Sequence, residues 1–206
     1  MARRGSQLRE HILLAAKEVF LEMGFERASM DAVAARAETS KRSLYAHFES
    51  KERLFLAVVE FVRGLVLSRL QTPSDYSDDP AEALTLFCVQ YQAILLYEAT
   101  IRMCRLSMAE AVRFPEGAAQ YFDVLFTQVH ARLRAYFETA LGLPVRAADD
   151  AAQGLLGRVI HPRFPRALFG VDSPAPQIEP SAVDSRPVRR AVEEVLAALP
   201  ERQDAG

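Results

Sequence analysis

The chain has 206 residues, 50% of them apolar, and a formal net charge of -2. This length supports one large or two small domains with a well-buried core, and the even balance of charge excludes a strongly basic or strongly acidic protein. No stretch approaches the roughly 20 uninterrupted apolar residues of a membrane helix, and the basic start is not followed by a secretory signal pattern. We therefore expect no membrane association and a cytoplasmic location.

Apolar residues recur at helical spacing almost throughout, with no sustained alternation of apolar and polar residues that would indicate a sheet. The sequence therefore predicts an all-α protein. The first helix is expected from about Gln7, with Ser6 as a possible N-cap, to a stop at Gly24. Its predicted inward face consists of Ile12, Ala15, Ala16, Val19, Phe20 and Met23.

Three further helices are predicted before residue 65. The second follows Ser29 and ends near Ala37, the third begins at Ser40, and the fourth follows Ser50 and runs through Leu65. Residues 1–64 hold 11 basic and 9 acidic side chains, net +2, whereas residues 65–206 hold 14 and 18, net -4. This sign difference fits a basic head on an acidic body, so we predict two domains, 1–64 and 65–206.

The remainder of the chain predicts a larger helical bundle. Residues 72–80 are rich in Ser, Asp and Pro and form the expected connection, after which Pro80 stands in the first turn of a helix. The amphipathic runs that follow are 81–114, which can divide near 98–102, then 116–142, 147–170 and 188–199.

The segment from Ser29 to Phe48 has the parts of a helix-turn-helix, in which two short helices flank a tight turn and the second helix enters the major groove. With Leu44 and Phe48 facing inward, polar and basic side chains remain on the outer face. Arg42 is the best candidate for a bidentate contact to guanine, because its guanidinium fork matches two acceptors. The predicted DNA-binding residues are Ser29, Ser40, Lys41, Arg42, Ser43, Tyr45, His47 and Lys51.

These residues have different expected roles. Lys41 is a second, less rigid candidate for base edges, whereas Tyr45 and His47 are better suited to phosphates. Ser29 and Lys51 are expected to clamp the DNA backbone on either side. The competing interpretation is a small three-helix bundle with a solvated charged face.

Several runs resemble the head of the TetR family of regulators. They are Ala28-Ser29-Met30-Asp31-Ala32-Val33-Ala34-Ala35-Arg36-Ala37, Ser40-Lys41, Leu44-Tyr45, Phe48, Ser50-Lys51-Glu52-Arg53-Leu54-Phe55, and Phe20-Leu21-Glu22-Met23-Gly24-Phe25. The resemblance implies a DNA-binding transcriptional regulator, and it covers most of residues 7–62.

Two positions depart from that family pattern. Glu38-Thr39 stands where the family usually has Gly-Val in the turn, and Arg42-Ser43 stands where it often has Gly-Thr. If Glu38 keeps the left-handed backbone that Gly allows, the strain is about 1 kcal/mol. Because the second change falls on the reading face, the operator cannot be inferred from relatives.

The run from Arg105 to Glu116 resembles the regulatory domain of the AefR-like branch of the same family. This resemblance implies an effector cavity between helices and a dimer interface on the last long helices. The candidate cavity residues are Phe87, Tyr91, Leu95, Met103, Met108, Tyr121, Phe122, Phe126 and His130. The candidate interface residues are Gly154, Leu155, Leu156, Gly157, Val159, Val192, Val195, Leu196 and Leu199.

Both sets have a competing interpretation, because apolar stripes more often bury a helix within its own chain. A monomer that buries the interface set internally is the alternative to the dimer. The dimer is favoured since a two-fold pair of recognition helices reads half-sites about 34 Å apart.

Other classes of protein lack support in the sequence. There is no phosphate-binding glycine loop, no hydrolase nucleophile motif and no metal-binding spacing, and the four histidines are scattered. Cys88 and Cys104 lack the close pairing of zinc or redox sites, so we expect buried reduced thiols, with redox sensing as an alternative. A helical partner-binding module without specific DNA binding is the rival function.

The predicted function is repression by occupancy. A homodimer sits on near-palindromic, double-stranded operator DNA until a small, mostly apolar effector of unknown identity is bound. We expect no enzymatic activity, no cofactor and no metal.

Overall fold

Helices form nearly all of the regular structure in the computed structural model, which describes residues 2–199 and the side chains from residue 6 onward. Within that range no β-strand occurs, and the one isolated bridge pairs Tyr97 with Ala175. The all-α prediction is therefore confirmed. None of the helices described in this range is long and apolar enough to cross a bilayer.

The helices follow one another in chain order with short connections. Their bounds are α1 (Ala2–Arg27), α2 (Met30–Arg36), α3 (Lys41–His47), α4 (Lys51–Arg69), α5 (Pro80–Leu95), α6 (Glu98–Ala109), α7 (Pro115–Phe122), α8 (Gln128–Thr139), α9 (Val145–Ile160), α10 (Arg163–Leu168) and α11 (Ser185–Ala197). Short 3₁₀ turns lie at Pro73–Asp75 and Pro180–Ala182, and a π-helical segment, Asp123–Thr127, joins α7 to α8.

Local sequence signals explain several helix ends. Asp79 caps α5 by accepting a hydrogen bond from the Glu82 N–H at 2.8 Å, and Pro80 occupies the first turn, where a missing N–H costs nothing. Gly142 follows α8 and Gly170 follows α10, each with positive φ, which is the backbone that a helix C-terminus often requires.

Helix α1 differs from its predicted form at both ends. It begins at Ala2, so Ser6 lies inside the helix and is not its N-cap. Gly24, with φ 73° and ψ 168°, interrupts the helical path at the predicted stop, and the chain then turns once more to Arg27. This break returns Phe25 to the core, and Met23, which was expected to face inward, is 37% exposed.

The backbone divides into two compact units. The first contains residues 2–65 and 102–121, and the second contains residues 66–101 and 122–199. Residues 102–121 were predicted to lie in the second domain, whereas their contacts group them with the first four helices. The functional boundary at residues 64 and 65 stays a prediction.

The core of the first unit is built around aromatic rings from distant parts of the chain. Phe20 and Phe25 of α1 pack against Phe55 of α4, with ring centroids 5.3 and 5.2 Å from that ring. Phe114, in the turn between α6 and α7, adds a fourth ring at 4.9 Å from Phe25 and 5.1 Å from Phe55. Such edge-on and tilted pairs stabilise beyond their buried area, so this cluster anchors residues 102–121 to α1 and α4.

Helix α5 is the central helix of the second unit and is buried on nearly all sides, as expected of a core helix. Helices α8 and α9 pack together, and α11 packs on both α5 and α9. Buried polar groups of α5 are satisfied: Gln92 Nε2 donates to the Val159 carbonyl at 2.9 Å, and the Tyr91 hydroxyl donates to the Leu125 carbonyl at 2.8 Å.

Candidate nucleic-acid interface

Helices α2 and α3, with the turn between them, form the predicted helix-turn-helix. The Thr39 N–H donates to the Ala34 carbonyl at 3.0 Å, and the Glu38 N–H donates to the Ala35 carbonyl at 3.2 Å, closing the turn tightly. Glu38 has φ 46°, so it keeps the left-handed backbone that a Gly at this place of the family pattern would allow. The strain in this turn is about 1 kcal/mol, small enough for the surrounding packing to offset.

Two predicted DNA-binding serines have a structural role in the head. Ser29 Oγ accepts a hydrogen bond from the Ala32 N–H at 3.1 Å, and Ser40 Oγ accepts one from the Ser43 N–H at 3.1 Å. These are the N-caps of α2 and α3, and each satisfies a backbone donor that the helix itself leaves free. The hydroxyl protons are not used in these bonds, so phosphate contacts stay a prediction for both residues.

The outer face of α3 carries the remaining candidates. Leu44 and Phe48 are buried as predicted, while Arg42 and Tyr45 are exposed. Ser43 and His47 are half-buried at the flanks of the same helix. Within residues 6–199 no ion pair or hydrogen bond engages the Arg42 guanidinium. Its full set of donors is therefore available to a ligand.

Lys41 differs from its neighbour Arg42. Its Nζ lies 2.7 Å from Oδ2 of Asp31 in the first turn of α2, and both side chains are largely exposed. The ammonium of Lys41 is thus paired across the helix-turn-helix, on the side that was expected to face DNA. This pairing was not predicted from the sequence.

Lys51 is engaged inside the head, and its predicted role as a phosphate clamp conflicts with that geometry. Its Nζ donates to the carbonyls of Phe25, Glu26 and Ala28 at 2.8, 3.2 and 3.0 Å. It also lies 4.4 Å from the centre of the Phe25 ring. An ammonium has three donors, and these three carbonyls use all of them. Lys51 therefore satisfies the carbonyl end of α1.

Arg36 at the end of α2 was not singled out by sequence, yet it braces α2 against α1. Its guanidinium bonds Glu22 with two hydrogen bonds, of 3.0 and 2.7 Å, and reaches Glu18 at 3.2 Å. The hydrogen bond from Arg36 lowers the pKa of the Glu22 carboxyl below its ordinary value. The i, i+4 spacing of the two glutamates on α1 was the available signal, because it places both on one helix face.

The nine candidate effector-pocket residues are divided between the two units. Phe87, Tyr91, Leu95, Phe122, Phe126 and His130 belong to the second unit, and Met103, Met108 and Tyr121 belong to the first. Most are buried, but Met108 is 55% and Phe122 is 60% exposed, so these two are not enclosed as expected. Met108 lies in the last turn of α6, and Phe122 lies at the end of α7, where its ring contacts Phe126 at 5.0 Å.

Three cavities are described in the second unit, and other residues line them. One of about 140 Å³ lies between α5, α10 and the segment 172–183, and one of about 360 Å³ lies beside Thr72 and α8. The third, of about 320 Å³, is an open groove between α9 and α11 that includes Gly154, Val195 and Leu199. The effector pocket proposed from sequence stays a prediction.

The candidate dimer-interface residues lie on α9 and α11 and beyond, but only some face outward. Leu155, Leu156, Val159, Val192 and Val195 are buried within the single chain, since α11 packs against α5 and α9. These five side chains fill the core of the second unit and are not available to a partner. Gly157 is exposed, and Gly154, Leu196 and Leu199 are partly exposed.

The two cysteines are buried and unpaired. Burial raises the pKa of the Cys104 thiol to about 12 and raises the pKa of Cys88 further. A thiol held protonated and away from solvent reacts slowly with oxidants, which disfavours the redox-sensing alternative. Over the described part of the chain, no group of three or more His, Cys, Asp or Glu side chains converges in a way that would hold a metal ion.

Comparison with known families gives two matches that together span most of the chain. Residues 12–58 match the bacterial regulatory proteins of the tetR family. Residues 82–198 match the C-terminal domain of the AefR-like transcriptional repressors.

Curated relatives include several regulators. The HTH-type transcriptional activator FasR of Mycolicibacterium smegmatis is 48% identical over 63 residues, 28% of this chain and 29% of FasR. The HTH-type transcriptional regulator UidR of Escherichia coli K12 is 33% identical over 117 residues, 54% of this chain and 55% of UidR. This chain thus spans only part of the length of these two relatives.

Solved structures match over nearly the whole chain. A protein described as a TetR-family transcriptional regulator from Mesorhizobium loti MAFF303099 superimposes with a TM-score of 0.77 at 25% identity, covering 94% of this chain and 97% of that one. The flavonoid-responsive regulator FrrA superimposes with a TM-score of 0.69 at 26% identity, covering 93% of this chain and 94% of FrrA.

Proposed function

This chain belongs to the TetR family of bacterial transcriptional regulators, and from that premise we propose that it represses transcription as a homodimer bound to a near-palindromic operator. Regulators of this family are non-enzymatic DNA-binding proteins. In the proposal, residues 1–64 bind DNA, residues 65–206 bind the effector and dimerise, and a small, mostly apolar effector ends repression.

The observation that carries the proposal is the outer face of α3. Arg42 projects from a helix whose other side is buried through Leu44, and its guanidinium is not engaged by the described residues. An Arg in the first turns of a recognition helix is suited to the N7 and O6 acceptors of guanine in the major groove. In the proposal, Tyr45 and His47, further along α3, donate to phosphates.

Dimerisation follows from how little DNA one such helix reads. Helix α3 has seven residues, so a single copy reaches only a few base pairs. Two copies related by a two-fold axis read successive major grooves about 34 Å apart and multiply both affinity and specificity. The outward-facing glycines of α9 support an interface on that helix, because a residue without a side chain lets a partner helix approach closely.

Two relatives bear on the effector and on the direction of regulation. FrrA, which is 26% identical, is named for its response to flavonoids, which supports a small, mostly apolar effector for this chain. FasR is named an activator, so the sign of regulation needs a direct test. A reporter gene behind the bound promoter decides it: deletion of the regulator raises expression if the protein represses and lowers it if the protein activates.

The turn between α6 and α7 offers a route for coupling effector binding to DNA binding. The chain passes from the second unit to the first within α6, and residues Arg113 and Phe114 then pack on the head. Arg113 pairs with Glu26, lies 3.6 Å from Glu52, and stands over the Phe25 ring at 4.6 Å. If the effector binds more tightly to one of two arrangements of this turn, its binding would shift the turn toward that arrangement. The shift would move α1 and α4, and with them α3.

The first experiment measures binding of the purified protein to DNA upstream of its own gene across a range of salt concentrations. Each phosphate neutralised should steepen the logarithmic salt dependence by about 0.9. The Arg42→Ala variant should lose about 1–3 kcal/mol of affinity for the specific site and little for mixed-sequence DNA, because it removes a base contact.

A failure of that experiment has a clear meaning. If the upstream DNA and duplexes selected from random sequence both bind without salt dependence or preference, the chain is not an operator-binding repressor. The rival is then a helical partner-binding module whose head no longer reads DNA.

A further inference from the structure

The ion pair between Lys41 and Asp31 stands on the surface that the proposed function assigns to DNA. Lys41 is the first residue of α3 and Asp31 lies in the first turn of α2, with their charged atoms 2.7 Å apart. The side chains are 64% and 62% exposed, so neither is held in place by burial. The pair is therefore open to exchange with another anion.

Two other cations of the first four helices are also engaged with partners in the same chain. Arg36 is committed to Glu18 and Glu22, and Lys51 is committed to three carbonyls of the α1 end. Only Arg42 presents, on α3, a charge that the described residues leave without an acidic partner. Strong attraction to any phosphate backbone would need several free cations, because non-specific binding grows with the number of phosphates neutralised.

We propose that Asp31 is a specificity-determining residue, which competes with DNA phosphate for Lys41 and thereby weakens binding to non-cognate DNA. This inference rests on the proposed function, since it concerns the same reading face. A phosphate that recruits Lys41 has to displace Asp31 and leave that carboxylate unpaired beside another anion. The exchange gains little electrostatic energy and releases no net counterion, so Lys41 adds nothing to the attraction for arbitrary sequences.

A correct operator changes this balance. When Arg42 engages a guanine, α3 is seated in the groove and the cost of separating Lys41 from Asp31 is met by contacts that wrong sequences do not provide. Exposed ion pairs are weak, so the barrier amounts to a factor of about two to five per head. In a dimer this loss of affinity applies to both heads, and it affects mainly the binding of non-cognate DNA.

The test compares Asp31→Asn with the wild-type protein on a mixed-sequence duplex of about 30 base pairs, long enough for two half-sites. A second duplex is selected from random sequence by the wild-type protein. In the variant Lys41 is free to neutralise a phosphate, so the logarithmic salt dependence on the mixed duplex should steepen by about 0.9 per head, and affinity at low salt should rise about two- to fivefold per head. The ratio of affinities for the selected and mixed duplexes should fall.

Glu38→Gln is the matched control. Glu38 is an exposed acid in the adjacent turn, and removing its charge changes the net charge of the head by the same amount. It holds no ion pair among the described residues, so its loss should raise affinity slightly without adding a phosphate contact or steepening the salt dependence. The double variant Asp31→Asn with Lys41→Gln should lose the steeper dependence that Asp31→Asn alone acquires.

The outcomes separate the inference from the function beneath it. If Asp31→Asn binds with the same salt dependence as Glu38→Gln, or keeps its steeper dependence after Lys41→Gln, the inference is overturned while the DNA-binding function stands. If the wild-type protein binds neither duplex in a salt-dependent way, the proposed function fails and the inference fails with it. Circular dichroism and thermal unfolding of each variant show that the head is folded before either conclusion is drawn.

Discussion

Lys51 shows how a single residue type fits two different roles. From sequence, a lysine at the start of the helix after a recognition helix is suited to a phosphate. In the fold, its ammonium donates to three carbonyls between residues 25 and 28 and lies against the Phe25 ring. Those carbonyls stand where α1 ends, and a helix end leaves carbonyl groups without partners inside the helix.

Replacing Lys51 with Met tests which role dominates. The variant keeps the length of the side chain but leaves three carbonyls without their donor, so the free energy of unfolding should fall by about 2 kcal/mol. Urea unfolding followed by circular dichroism measures the change. Lys41→Met is the control, because its exposed ion pair should contribute less than about 1 kcal/mol. A Lys51→Met protein of unchanged stability that loses DNA affinity would restore the phosphate role.

Glu38 is a second residue whose conformation is set by the surrounding fold. Its φ of 46° is the geometry that a glycine adopts without strain, and the tight turn between α2 and α3 imposes it on a glutamate. The turn itself was expected from its position between two short helices, whereas the left-handed backbone at Glu38 was considered only because the family usually has Gly there. The tolerance of the strain depends on the burial of Val33, Ala34 and Ala37 on one side and Leu44 on the other.

At the scale of elements, the turn between α6 and α7 is the segment whose placement sequence did not foresee. Phe114 packs its ring against both Phe25 and Phe55, which also contact each other, and Gly117 allows α7 to approach α4, since a Cβ there would stand 3.1 Å from Leu56. Residues 102–121 therefore pack as part of the first unit although the chain between residues 66 and 101 separates them from it.

The Phe114→Ala variant measures how much this packing contributes to the free energy of unfolding. Phe114 is half-buried, so its truncation should lower the free energy of unfolding by about 2 kcal/mol, below the cost of truncating a fully buried ring. Val112→Ala is the control within the same turn, because Val112 is 99% exposed and its loss should have no measurable effect. Equal stability of the two variants in urea would show that the turn does not hold residues 102–121 to the head.

For the whole molecule, the proposed homodimer requires a surface that joins two copies. The side chains first assigned to the interface divide into a buried group, which holds α9 and α11 in the second unit, and an outward group that includes Gly157. A Cβ added at Gly157 meets nothing within 4 Å, so the folded protomer has room for a larger residue there. A partner helix in close contact with Gly157 would leave no room for such a side chain.

Gly157→Arg should consequently weaken dimerisation by about tenfold or more without unfolding the protomer, because a bulky side chain prevents close helix contact. Sedimentation analysis over a range of protein concentrations measures the dissociation constant. Ser173→Arg, in the exposed loop between α10 and α11, introduces the same side chain off α9 and should leave the dimer intact. A Gly157→Arg protein that dimerises like the wild type would move the interface off this face of α9.

The sequence alone determined the features that depend on neighbouring residues. Capping by Ser29 and Ser40, the breaks at Gly24 and at the prolines, and the spacing of Leu44 and Phe48 are local, so helix positions and the helix-turn-helix followed from them. Family resemblance then supplied the class of regulator, which the comparisons bear out.

Only the tertiary structure decided which groups of distant elements meet. Lys51 bonds a carbonyl 26 positions away, and Arg113 pairs with Glu26 across 87 positions. Helical periodicity states which face of a helix is apolar but not whether its own chain or a second copy covers that face, and for this reason Leu155 and Val192 were assigned to an interface. Neither Lys51 nor Lys41 has a sequence signal for its partner, so the engagement of these two lysines and the availability of Arg42 became visible only in the folded head.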